Sequence, residues 1–272
     1  MGETLAYGIG ALAALLLIDV AVRALSRRPA ETSSGRRMLQ GARLVALFLL
    51  AGAVATSCRT DHGVLHDVLW MGMFGLAGML ALELAQALGF ALLRGLGAAA
   101  RSDNLAAAIA ATAHTLAIGV LIANVAGGTS FVDLVVAALS FAVGQATLLL
   151  LLWLFRCLTT YDDREQILGG NVAAGLSHGG LTLALALLIA HATDGDYQGA
   201  WPALRDYGIA MAEGLVVWPL RQLLVQCLLF RSRPRFVGGE LDRAVAAGDF
   251  GAGTLEAATY LGLVLFVRSL GS

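Results

Sequence analysis

The chain has 272 residues, 58% of them hydrophobic and 14% charged, with a mean hydropathy of +0.77 and a formal net charge of −1. A soluble domain carries roughly 25% charged residues, and apolar runs of about 20 residues are the length that crosses a bilayer, so the protein is placed in the membrane. The absence of a basic excess excludes a nucleic-acid binder, and without an alternating strand pattern the backbone has to be satisfied inside helices rather than in a barrel.

Eight spans are predicted, near 5–25, 40–58, 67–93, 104–126, 133–157, 170–192, 206–230 and 250–269. The first has no positive residue before it and arginines after it, the pattern of a first span with its N-terminus outside rather than of a cleavable signal. All cations are arginines. The connections after the odd-numbered spans hold thirteen of them, including Arg36, Arg101, Arg164 and Arg243, and the intervening connections hold two, Arg59 and Arg205. That bias makes the first set cytoplasmic and puts both termini outside. Arg43, at the start of the second span, and Arg268, at the far end of the last, leave it unchanged. Cys58, Cys157 and Cys227 form neither a disulfide framework nor a metal pair and read as small apolar fillers.

An acidic residue opens each odd span (Glu3, Asp67, Asp133, Asp206) and a polar one opens each even span (Gln40, Asn104, Asn171, Asp249), with separations of 37, 37, 38 and 43 residues. This spacing predicts four two-helix hairpins, each entering and leaving on one side, and therefore parallel repeats. The expected fold is an all-α membrane protein of eight transmembrane helices, grouped as two fused four-helix units over residues 1–126 and 127–272.

Two of the hairpins share a finer pattern: a polar turn, then Asn, small residues and a small-residue helix. Asn171, Ala173, Ala174 and Gly175 carry it in one copy, and Asn104, Ala106 and Ala107 in the other, with Ala108 in the glycine place. The pattern resembles the signature of bacterial inner-membrane proteins catalogued as domain of unknown function 350, here as two fused copies. The first copy (Gln40) and the last (Asp249) depart from it by lacking the Asn. The resemblance implies an inner-membrane, stress-associated component whose partner is a cytoplasmic membrane-remodelling or stress protein. It implies no catalytic residue, metal or cofactor.

Ionisable groups inside spans cost on the order of 2.5–3.5 kcal/mol each, so each is a candidate for function. Asp19 and Glu83 both lie 16 residues after their opening acid, Arg221 lies 15 after Asp206, and His178 and Glu256 each lie seven after their opening polar residue. Helical rise puts all five in one layer in the cytoplasmic half. A looser set (His114, Asn124, Gln145, Glu213) reaches from the midplane outward. Carboxylates with a histidine suit passage of protons or a small cation. The competing expectation is structural, with Arg221 pairing Asp19, Glu83 or Glu256 to lock helices together. Asn171, Gly175 and His178 share a helix face, as do Asp249, Gly253 and Glu256, which suits small-residue packing with Asn171 or Asp249 as helix caps.

Gly175-Leu176-Ser177-His178-Gly179 matches the hydrolase G-x-S-x-G, but that motif has meaning only on a sharp strand-to-helix turn, and here it falls inside a span. An enzyme is not expected. His62 and His66, flanked by Asp61 and Asp67, read as solvated surface rather than a zinc pair. Two functions remain open: a bilayer-embedded scaffold for a cytoplasmic partner, alone or as a homo-oligomer, and an ion or proton pathway through the polar layer.

Overall fold

The computed structural model describes residues 2–25, 33–60, 63–157, 159–194, 199–229, 233, 235 and 238–270, excepting the side chains of 2–5, 22–25, 213–214, 217–224, 228–229 and 270, Glu213 and Arg221 among them. The described residues form helices without strands. Eight helices are long: α1 (Gly2–Leu25), α2 (Ser34–Ser57), α3 (Val64–Leu92), α5 (Leu105–Val125), α6 (Phe131–Arg156), α8 (Val172–Ala192), α9 (Ala200–Leu223, prolonged by a π-helical turn over Leu224–Leu229) and α11 (Phe250–Leu270). Three are short: α4 (Leu96–Arg101), α7 (Asp163–Leu168) and α10 (Glu240–Ala246). Among the described residues six helices (α2, α3, α5, α6, α8 and α11) are long and apolar enough to cross a membrane, which makes this a multi-pass membrane protein.

The order of packing is simple. Helices α2, α5, α8 and α11 touch in that sequence, and α1, α3, α6 and α9 lie against them from outside. In α5 and α8 the apolar window is 72 and 78% buried, against 22% in the outer helix α6. Small residues permit this. A Cβ on Gly175 of α8 would stand 2.6 Å from the Ala106 carbonyl oxygen of α5, and one on Gly253 of α11 would strike the backbone of Ala173 in α8. Lipid chains are as apolar as leucine, so helices in a bilayer gain by close backbone approach instead of by hydrophobic exclusion.

At one face of the row the chain makes the same turn three times. Each short helix ends, one residue takes a left-handed conformation (Asp103, Gly170 and Gly248, with φ of 64°, 90° and 85°), and a polar residue caps the next long helix. The cap N–H donates five residues back, from Asn104 to Ala99 O (3.2 Å), from Asn171 to Gln166 O (2.9 Å) and from Asp249 to Ala244 O (2.9 Å). The cap side chains accept from the N–H of Ala107, Ala174 and Ala252, satisfying donors that a helix start leaves open.

The asparagines do more than cap. Asn104 Nδ2 donates to the Ile167 and Leu168 carbonyls at 3.1 and 3.0 Å, the last of α7, and Asn171 Nδ2 donates to Val245 and Ala246 at 2.8 and 3.3 Å, the last of α10. Each carboxamide thus fastens its turn to the next. The α4–α5 turn is fastened backward as well, since Asp103 Oδ1 accepts from Ser34 N at 2.9 Å at the start of α2. That helix begins six residues before Gln40, on the cap Ser33, whose Oγ accepts from Arg36 N. The apolar run alone placed its start too late.

Exchanging donors for acceptors at these caps gives a direct check. Asn171→Asp keeps the cap but loses both donors, leaving the α10 carbonyls open and costing about 1–3 kcal/mol of folding stability. Asp249→Asn, at a cap with no following turn, changes stability by no more than a few tenths of that. Thermal unfolding of the two purified variants in detergent reads the contrast.

Candidate functional site

Asp19 and Glu83 come together, and the group that joins them is Arg43. Its guanidinium donates Nε to Asp19 Oδ1 at 2.6 Å, and a second nitrogen reaches Asp19 at 2.6 Å and Glu83 Oε1. Asp19 is 2% and Arg43 7% exposed, while the Glu83 side chain keeps 34% of its surface, so the cluster ties α1 to α2 through a buried pair and reaches α3 through a half-buried carboxylate. The sequence assigned the counter-charge to Arg221 and counted Arg43 with the face. Arg43 lies nine residues inside α2 because that helix begins at Ser34, and this depth brings it level with the carboxylates. The Arg221 side chain lies outside the described residues.

His178 and Glu256 fall in a second cluster, where α8 meets α6, α7 and α11. Glu256, 3% exposed, accepts from Ser177 Oγ at 2.7 Å and from Tyr260 Oη at 3.3 Å. Ser177 therefore stands in mid-helix with its hydroxyl given to a carboxylate, not on a strand-to-helix turn. His178, 2% exposed, has Nδ1 at 3.8 Å from Asp163 Oδ2, beyond hydrogen-bond range, and Arg156 Nε approaches the same oxygen at 3.7 Å. Tyr161, in the α6–α7 connection, reaches this cluster too. Burial first, then the Glu256 and Asp163 carboxylates, push its phenol far above the ordinary range, while a hydrogen bond with Ser177 opposes them. It stays neutral at any physiological pH.

Between the clusters stands His114 of α5, fully buried under Gly89 and beside the Phe90 ring at 6.4 Å between centroids. Among the described residues neither nitrogen of His114 nor of His178 has a hydrogen-bond partner. Gln86 donates to Thr115 at 2.9 Å next to it, tying α3 to α5. Counted from the helix ends at the face with the three turns, Arg43, Glu83 and His114 are nine residues deep, and Asp19, His178 and Glu256 six. At 1.5 Å per residue the layer spans about 9–14 Å from that face. A cavity of about 10 Å³, the size of one water, lies beside His178 among Leu93, Leu96, Arg156, Arg164, Ile167 and Leu168.

Of the looser set, Asn124 donates to Thr193 at 3.0 Å near the opposite end of α5, Gln145 is buried in α6, and the Glu213 side chain lies outside the described residues. His62 and Asp61 also lie outside them, and His66 accepts from Trp70 Nε1 at 3.1 Å and meets Thr60 Oγ1 at 3.3 Å. Five participants were not assigned to the layer from the sequence: Arg43, Arg156, Asp163, Tyr161 and Tyr260. Tyr260 had a usable signal, being four residues from Glu256 on the same helix. Tyr161 had none, since a connection gives no register.

A family model described as Domain of Unknown Function (DUF350) matches residues 129–270, slightly more than half of the chain. The chain belongs to this family. The match takes in α6 to α11 with the His178–Glu256 cluster and the Asn171 turn, and leaves the Arg43 cluster outside it. No curated protein and no solved structure matches the chain.

The Arg43 cluster yields a sharp expectation. Arg43→Met strands the buried Asp19 carboxylate and costs roughly 3–5 kcal/mol, whereas Asp19→Leu/Arg43→Met/Glu83→Leu, which removes the whole set, recovers most of that loss. Denaturation of the two variants beside wild type measures it.

Proposed function

We propose that the protein is an eight-span scaffold of the bacterial inner membrane, four parallel hairpins in a row, whose fastened turns form a cytoplasmic docking surface for a membrane-remodelling or stress protein. Under this reading residues 1–126 and 127–272 are two copies of the family unit, and both termini are outside. What carries it is the connected face. The turns at α4, α7 and α10 are joined by the Asn104 and Asn171 carboxamides into one rigid ledge, and Arg94, Arg101, Arg164 and Arg243 stand exposed along it. Asp103, Asp162 and Glu165 are exposed among them. An interleaved pattern of this kind recognises a patterned protein surface better than a uniform anionic one.

The buried charges then serve the scaffold, since Arg43 neutralises two carboxylates at once and Glu256 is held by two hydroxyls. Ser177 is such a holding donor and not a nucleophile. A second reading, passage of protons or a small cation, is favoured by one observation: His114 and His178 are buried without hydrogen-bond partners among the described residues, and a water-sized cavity touches His178.

Flux in liposomes decides between them. The scaffold reading expects no proton or cation flux above empty liposomes across pH and voltage; flux that disappears in a folded Glu83→Gln/Glu256→Gln variant would replace it with the pathway. A photoreactive side chain at position 101 or 164 is expected to crosslink a soluble cytoplasmic protein, and Arg94→Glu/Arg101→Glu/Arg164→Glu to abolish the product. Orientation is read at the cysteines. Cys157 is exposed at the ledge end of α6, and an impermeant maleimide should reach it only after the membrane is opened. Cys58, at the other face, is buried, and burial with the nearby Asp67 and Asp133 carboxylates pushes its thiol up to about 11, so it should stay unlabelled throughout.

A further inference from the structure

Helices α1 and α3 meet where Leu15 packs against Gly75 and leave a depression between them on the side toward the α2–α3 connection. This is a groove of about 870 Å³, opening at that connection, with the buried Leu15 and Met71 at its base and Ile18 and Leu76 along its sides. Its walls carry small residues where two helices would ordinarily touch, yet a Cβ built on Gly10 or on Gly72 meets nothing within 4 Å. Small residues permit close approach, and at the deep end the Leu15 side chain, seated on Gly75, fills the space between the helices, while Gly10 and Gly72 leave it open nearer the mouth. The Arg43 cluster, which grips Asp19 just past the deep end of the groove and Glu83 farther along α3, fixes them there.

The dimensions of the groove are informative. On α1 it runs from Ala6 to Ile18 and on α3 from Val64 to Leu76, twelve residues in each case. That is about 18 Å, close to half of a hydrocarbon core about 30 Å thick, and so the depth of one leaflet. Its mouth is polar. Asp67 is occupied in receiving the Thr60 N–H and hydroxyl at 2.9 and 2.8 Å at the start of α3. Arg59, exposed, holds its guanidinium 5.4 Å over the Tyr7 ring, which steadies it at the entrance.

We propose that this groove binds one phospholipid from the leaflet at the α2–α3 connection, with an acyl chain between α1 and α3 and the phosphodiester on Arg59. A guanidinium recognises a phosphodiester by charge-assisted hydrogen bonds, and the apolar walls recognise the chain by its length. The proposal is independent of whether the protein docks a partner or passes an ion.

The test is native mass spectrometry of the full chain released from detergent, with phosphatidylglycerol as the probe and diacylglycerol, which lacks the phosphate, as the comparison. Wild type is expected to retain one phosphatidylglycerol and to bind diacylglycerol about tenfold more weakly. Arg59→Gln should bring the two lipids to equal, weak binding, and Arg59→Lys should restore part of the difference. Gly10→Leu/Gly72→Leu should lose both lipids while keeping its helical content; Gly10→Leu alone carries the same expectation should the double variant not fold. Retention of phosphatidylglycerol by the filled variants, or retention indifferent to Arg59→Gln, overturns the proposal.

Discussion

The last carbonyls of a helix need donors, and in this protein two of those needs are met by a neighbouring turn. The Asn104 carboxamide serves the end of α7, and the Asn171 carboxamide serves the end of α10. Each asparagine has its oxygen committed to the cap of its own helix and its nitrogen to the adjacent short helix, so neither bond can form unless two turns stand in register. That register in turn sets Gly175 on Ala106 and Gly253 on Ala173, and the close approach of α5, α8 and α11 follows. Asp249 occupies the last of the three caps, where among the described residues no further short helix offers carbonyls; a carboxylate caps as well as a carboxamide and has no donor left to satisfy.

Charges buried behind this ledge divide by how completely they are matched. Around Arg43 one cation faces two carboxylates within α1, α2 and α3, an arrangement that orients helices and resists loss of any single member. Around His178 the matching is looser: Asp163 is just beyond bonding distance, and His114 is enclosed without a hydrogen-bond partner among the described residues. A neutral imidazole can be buried at modest cost, whereas a protonated one in that place would need a counter-charge, and Asp163 is the nearest available to His178. The family match covers Asp163, His178 and Glu256 and leaves both His114 and the Arg43 cluster outside it.

The gap between α1 and α3 depends on the same ion pairs. Arg43 draws Asp19 and Glu83 toward α2, Leu15 packs on Gly75 at the deep end, and beyond that contact the groove between the two helices stays open to the α2–α3 connection. In water such a gap would collapse onto the small residues lining it. In a bilayer lipid chains are the solvent and can fill it, so a groove that would destabilise a soluble bundle is tolerated here.

What the sequence by itself determined was the solvent, the rough limits of the six helices able to span it, the caps Asn171 and Asp249, though not the start of α2, placed at Gln40, and the depth of most buried charges. All of these depend on composition or on spacing along one helix, and helical rise converts a residue count into a depth without knowledge of neighbours. Asp19, Glu83, His178 and Glu256 were legible for that reason. The tertiary structure decided which of them meet. Arg43 was misjudged because its depth depends on where α2 begins, and that start rests on Ser33 and on Asp103 from a distant turn. The second role of Asn104 and Asn171 was equally hidden, since their partners lie more than sixty residues away and are backbone carbonyls, which every sequence supplies. The groove was invisible because small residues at helical spacing signal close contact, and only the placement of α1 against α3 shows which of them, Gly10 and Gly72, stay open.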